Sequence, residues 1–192
     1  MYQGANPSAL RSRKWITEAL LALLGDRKYC DITVKVVCSR ADLSRQTFYQ
    51  IFDSKDEVME YHFARLFAGF QARCGSFEPI SCQELACQFF RFFYDERAFV
   101  TILIENNMTY LLERAFELYL PQIGLFRRIN ETEEHPDYSV AYVAGALTQL
   151  LVHWFARDFD VRIEEAGALA EHLISGRIYA AAMNVEEIGG ES

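Results

Sequence analysis

The chain has 192 residues, 51% of them apolar, which is long enough to bury a substantial core and too apolar to be read as disordered. No apolar run reaches the length needed to span a bilayer, and no basic stretch followed by an apolar signal core opens the sequence, so the expectation is a cytoplasmic protein with no membrane partner. The net charge of −8 argues against a nucleic-acid partner until it is divided: residues 1–55 carry nine Lys/Arg against five Asp/Glu, or +4, and the remainder carries −12.

Residues 1–8, with Gly4 and Pro7, read as an arm. Arg11, Arg13 and Lys14 follow it, placed either to lie along a DNA backbone or to sit free in solvent. A first helix then runs to about Leu24, with Trp15, Ile16, Ala19, Leu20 and Leu23 at helical spacing and Gly25 as its stop.

Thr33 is a good N-cap, and Val34, Val36 and Val37 give a short second helix its apolar face. Ala41, Asp42 and Leu43 form the turn after it. The backbone between two such helices often needs a positive φ at position 42, and Asp is among the few side-chain-bearing residues that tolerate one. Ser44 caps a third helix in which Phe48, Ile51 and Phe52 point inward, while Arg45, Gln46, Thr47, Tyr49 and Gln50 point elsewhere. That exposed set suits DNA. Arg and Gln bond base edges, the Thr methyl touches thymine, and a Tyr hydroxyl reaches phosphate. Ser54 to Glu57 is a capping box that opens the next helix with Lys55 in its first turn. The core expected of this region is Ile16, Leu20, Leu23, Ile32, Val36, Val37, Phe48 and Phe52.

Asp31-Ile32-Thr33, Ala41-Asp42-Leu43-Ser44-Arg45, Thr47-Phe48-Tyr49 and Phe52-Asp53-Ser54-Lys55-Asp56-Glu57-Val58 together resemble the DNA-binding domain of the tetracycline-repressor (TetR) family of bacterial transcriptional regulators. The family's T-x-Y-x-x-F-x-x-K run stands here as Thr47, Tyr49, Phe52 and Lys55, and the departure is Asp42 where the family usually has glycine. The resemblance covers roughly residues 10–65 and is architectural beyond them. It implies that Thr33, Arg45, Gln46, Thr47, Tyr49 and Lys55 face DNA, joined by the cap Ser44.

The helix opened by Ser54 is expected to reach about Arg73, with Gly75, Ser76 and Pro79 breaking it. Cys82–Tyr94 is apolar on almost every side, as in a centrally buried helix. A short helix over 98–104 comes next, then a longer pattern from Met108 into Pro121, which should end it. Residues 127–137 read as a polar surface loop. Two last helices are expected over 137–158 and 162–184, and their surplus of apolar and small positions suggests a four-helix bundle made with a second copy, as the resemblance also implies.

The expected fold is therefore all-α: residues 1–55 as a three-helix helix-turn-helix head, and 56–192 as a larger helical module for effector binding and dimerisation. Phe89, Phe93, Glu105, Tyr110, Phe116 and His153 are the candidates for ligand contact, within a wider set of polar residues among apolar ones: His62, Gln88, Asn106, Asn107 and Gln149. Each has the alternative of an ordinary core or surface role. Ala141, Gly145 and Leu173 are the candidates for dimerisation.

The five cysteines show no C-x-x-C and no zinc-ligand spacing; reduced thiols are expected, with a redox switch at Cys74, Cys82 or Cys87 as the alternative. No catalytic motif, metal site or cofactor is implied. The function expected is that of a one-component repressor, a homodimer on a palindromic DNA operator, released by a small-molecule effector. The alternatives are the same fold governed by a protein partner or by thiol oxidation, and a helical enzyme.

Overall fold

The computed structural model describes residues 7–74, 81–123 and 135–174, and every regular element among them is helical. The chain divides into two compact units: one takes the residues up to Gly69 together with Ile102–Asn107, the other takes Phe70–Thr101 and the chain from Met108 onward.

The first unit contains α1 (Pro7–Leu24), a single 3-10 turn (Tyr29–Asp31), α2 (Val34–Ala41), α3 (Arg45–Tyr49) and most of α4 (Lys55–Cys74). Pro7 and Ser8, expected in the arm, belong to α1. Proline suits a first helical turn, where its missing N–H would have had no partner. Ile16, Leu20, Leu23, Ile32, Val37, Phe48 and Phe52 are buried as expected, but Val36 is only half-buried and Cys38 takes the inward place. The buried face of the two-turn helix α2 centres on residues 37 and 38, which turns position 36 toward the rim. The core continues past residue 55, because Val58, Met59, Phe63, Leu66 and Phe67 of α4 are buried and Tyr61 meets the Phe52 ring edge-on at 5.7 Å.

The second unit holds α5 (Cys82–Asp95), the start of α6 (Arg97–Glu105), α7 (Tyr110–Tyr119), α8 (Pro136–Ala156) and α9 (Ile163–Ile174). Ser81 caps α5 by accepting from the amide of Glu84 at 3.1 Å. The apolar residues expected to bury α5 do so, Leu85, Ala86, Phe89, Phe90, Phe92 and Phe93, but Gln83, Glu84 and Arg91 leave one side of it exposed rather than central. Pro121 ends α7 as expected, in a 3-10 turn over Leu120–Gln122. Pro136, expected at the end of the loop, is the first residue of α8, another helix opened by proline, one residue before the expected start at Asp137. The rest of that loop, and the expected continuation of α9 to 184, lie outside the described residues.

By length and composition α8 is apolar enough to cross a membrane, a run that the sequence reading did not single out, but Val143, Ala144, Leu147, Thr148, Leu151 and Trp154 of it lie in the protein core. α5 and α9 cross closely, and small residues permit it: Ala166, Gly167 and Ala170 are the buried positions of α9.

Candidate nucleic-acid interface

Each piece of the helix-turn-helix is built from local chemistry. Thr33, extended at φ −98°, caps α2 by accepting from the amide of Val36. Asp42 closes it in the left-handed conformation, φ 53° and ψ 45°, with its amide and that of Leu43 both donating to the carbonyl of Cys38. The chain thus reverses at the position where the turn needs positive φ, and Ser44 restarts it by accepting from the amide of Thr47 at 3.0 Å. The bonds Gln50 N to Gln46 O and Phe52 N to Phe48 O carry the helical turn of α3 on to Phe52.

The predicted DNA-facing residues divide into three sorts. Arg45, Gln46 and Tyr49 are exposed, as is Gln50 beside them, and the Arg45 guanidinium stands 6.0 Å from the centre of the Tyr49 ring. Beneath them the fully buried Phe48 ring meets Tyr49 edge-on at 5.4 Å and so fixes the pitch of the face. Thr33 and Ser44 are exposed but engaged as caps, and Thr47, half-buried, shares a hydroxyl contact of 2.8 Å with Ser44. Thr47 also faces a cleft between α3 and the start of α1 that is lined by Ser8, Ser12, Arg13 and Gln50. Arg11, Lys14, Arg27, Lys28, Lys35 and Arg40 are exposed on this unit, a cationic surround for the face. Lys35 and Arg40 were missed as candidates by the sequence reading, because a lone cation on a short helix carries no distinguishing signal.

Lys55 has a second occupation. Its ammonium donates to the carbonyls of Tyr29 and Ile32, the latter at 3.1 Å, and lies 3.9 Å above the Tyr29 ring, so two of its three protons are taken within the protein. The Tyr29 hydroxyl donates to Asp56. The first turn of α4 therefore grips the turn that leads into α2. The capping box beside it holds, with the Glu57 amide donating to the Ser54 hydroxyl at 3.2 Å; the Glu57 carboxylate accepts from Asp53 rather than from Ser54.

The ligand candidates do not converge. The rings of Phe89 and Phe93 meet at a tilt with centres 4.8 Å apart, and both meet Phe116 edge-on at 5.3 and 5.4 Å, so these three rings fill one another's space as core. Tyr110 and His153 are exposed, and Glu105 is exposed in a segment that belongs to the first unit. His153 lies on a surface groove with Leu150, Trp154, Arg157 and Leu169. Two other atoms of the second unit carry the feature expected of a ligand contact. Gln88 Oε1 and Thr148 Oγ1 are buried with no hydrogen-bond partner among the described residues. Gln88 was legible as a polar residue amid apolar ones, whereas Thr148 was not, because threonine in a helix commonly satisfies itself on the preceding turn.

Of the dimerisation candidates, Ala141 is exposed and Gly145 and Leu173 are half-buried; Tyr138 and Tyr142 stand 80% and 57% exposed on the same helix as Ala141. A Cβ on Gly145 would lie 3.5 Å from Glu113 Oε1, an ordinary contact.

An exposed Arg/Gln/Tyr face on a capped helix that follows a left-handed turn, in a chain whose regular elements among the described residues are all helical, defines a helix-turn-helix protein. No family model matches the sequence, and no curated protein matches it either. Solved structures do: a TetR transcriptional regulator from Streptococcus agalactiae 2603V is similar at a TM-score of 0.66 and 19% identity, over 88% of this chain and 96% of that one. The dihydroxyacetone kinase operon activator DhaS matches at 0.55 and 19%, over 88% and 97%. The fatty acid degradation regulator FadR from Bacillus halodurans matches at 0.54 and 14%, over 92% and 97%. The chain has the all-α fold of the TetR-type regulators.

Proposed function

We propose that the protein is a DNA-binding transcriptional regulator that acts as a homodimer on a palindromic operator, with Thr33, Ser44, Arg45, Gln46, Thr47, Tyr49 and Lys55 at the DNA. The observation that carries this reading is the face of Arg45, Gln46 and Tyr49, exposed over the buried Phe48, whose ring meets Tyr49 edge-on. Arg45 and Gln46 occupy the first turn of α3, where a recognition helix meets base edges, and the basic surround supplies phosphate contacts. The exposed tyrosines of α8, with Ala141, Gly145 and Leu173, support pairing with a second copy through the last two helices.

The effector reading is supported by Gln88 and Thr148 rather than by the aromatic trio. A buried polar atom without a partner costs about 1–3 kcal/mol, and a ligand that offers it a donor recovers that cost. The effector proposed is a small molecule with an apolar body and at least one hydrogen-bond donor, whose binding releases the operator. Because one structural neighbour is an operon activator, the sign of control is tested apart from binding.

Selection from a random DNA pool by the full-length protein is the deciding experiment. Enrichment of a palindrome bound by two protomers, with affinity falling steeply as salt rises, is expected; failure to enrich any sequence would overturn the reading. Transcription from a promoter carrying the selected palindrome then tests repression. A metabolite screen by thermal shift tests effector control, since a ligand bound to the folded state raises the melting temperature.

A further inference from the structure

Tyr29 opens a 3-10 turn whose preceding residue, Lys28, offers it no side-chain cap. The first amides of any helical turn lack partners within it, and here the acceptor comes from 77 residues away: the Tyr29 amide donates to Asn106 Oδ1 at 3.0 Å. Asn106 is held in turn by its own helix, its Nδ2 donating to the carbonyl of Ile102 at 2.9 Å, and α6 is ended directly after it by Asn107 in the left-handed conformation, φ 55°. The segment Ile102–Asn107 packs as part of the first unit although α6 begins in the second, so the side chain that caps the Tyr29 turn rides on a helix continuous with the other unit.

The cap matters because of the residues it leads into. The Ile32 amide returns to the Tyr29 carbonyl at 3.2 Å, Ile32 is buried, and Thr33, the next residue, is the N-cap of α2. Lys55 and Asp56 hold the same turn from the other side, on the Tyr29 carbonyl and hydroxyl. The turn is thus clamped between the first turn of α4 and the last turn of α6, and it leads without slack into the helix-turn-helix.

We propose that Asn106 is a positioning residue through which α6 sets the geometry of the Tyr29 turn and hence of α2 and α3. This rests on the proposed regulator function, in which events in the second unit alter DNA binding. The Asn106 link gives α6 a polar hold on the turn, whereas Lys55 and Asp56 act from α4, so loss of Asn106 separates this contribution of α6 from theirs.

The test is residue-resolved amide exchange on the full chain, for wild type, Asn106→Ala and Asn106→Asp. Alanine removes the acceptor, so the Tyr29 amide and the amides of α2 and α3 should exchange on the order of tenfold faster, with those of α8 and α9 unchanged. Aspartate keeps an acceptor at the same reach and should keep the Tyr29 amide protected. Faster exchange confined to Tyr29 would overturn the proposal. So would equal acceleration across α1 to α9, which would mark Asn106 as a contributor to global stability alone. The second measurement is affinity for the duplex selected by the wild type, expected to change on the order of tenfold in Asn106→Ala and to be restored in Asn106→Asp. If the wild type selects no duplex the regulator reading fails, and amide exchange still decides the link.

Discussion

Gly167 of α9 lies against Cys87 of α5 so closely that a Cβ on residue 167 would stand 2.4 Å from Cys87 Sγ, 2.9 Å from its amide nitrogen and 3.0 Å from its Cα. Two of those three atoms are backbone, so a rotamer change at Cys87 relieves only part of the clash. Gly167→Ala should destabilise the protein by about 1–3 kcal/mol. Urea unfolding measures it, and an unchanged midpoint would show that the helices separate freely. Cys87→Ala in the same chain should recover only part of the loss. By contrast Gly145→Ala, with 3.5 Å to Glu113 Oε1, should leave the fold intact.

His62 on α4 has its pKa lowered from 6.5 to about 4, first by burial and then by the nearby Arg65. The unfolded chain takes up a proton there near pH 6.5, whereas the folded one resists until about pH 4. Stability from this group is therefore fully present above pH 6.5 and is lost as pH falls through the window down to about 4, by up to roughly 3 kcal/mol. His62→Gln should flatten that part of the stability profile measured by chemical denaturation. A slope between pH 6.5 and 4 that persists unchanged in the variant would assign the effect elsewhere.

Asp42 adopts φ 53° at the turn of the DNA-binding motif. Asp42→Gly removes the steric cost of that conformation but loosens the unfolded chain, so the net gain should be small, about 0.5 kcal/mol, with no change in the DNA sequence preferred. Asp42→Val, branched at Cβ and unsuited to positive φ, should lower the melting temperature instead. A valine variant as stable as the wild type would mean that the turn can adopt another geometry.

Gln46 and Lys55 should fail in different ways. Gln46→Ala leaves every described intramolecular contact of the first unit in place apart from its own side chain, so it should cost about 1–3 kcal/mol on the selected operator and little on random DNA. Lys55→Ala should weaken binding to all sequences alike. It should also lower thermal stability, because the Ile32 carbonyl loses the ammonium donor and the Tyr29 carbonyl is left with the Ile32 amide. Sequence selection with each variant, alongside melting curves, checks both. A Lys55→Ala protein with undiminished stability would assign that side chain to phosphate alone.

Much of the DNA-binding motif was legible because its determinants act within about four residues. Thr33 and Ser44 are caps, Ser54 and Glu57 form the box, Asp42 takes the left-handed turn and Pro121 ends a helix, all through bonds or steric limits set by near neighbours in the chain. The periodicity of Ile16, Leu20, Leu23, Phe48 and Phe52 likewise named a core before any partner was known. Pairings between distant segments were not legible. Nothing about Asn106 announces that it caps Tyr29, nothing about Gly167 announces the crossing at Cys87, and Phe89, Phe93 and Phe116 were candidates for a pocket with core as the commoner role of such aromatics, which their ring contacts bear out. Lys55 makes the same point from inside the motif, since its spacing marked it for phosphate while the fold brought two carbonyls within its reach. Local hydrogen-bond and steric rules operate on adjacent residues and so are written in sequence, whereas the partner of a side chain 77 residues away is decided by how whole helices pack.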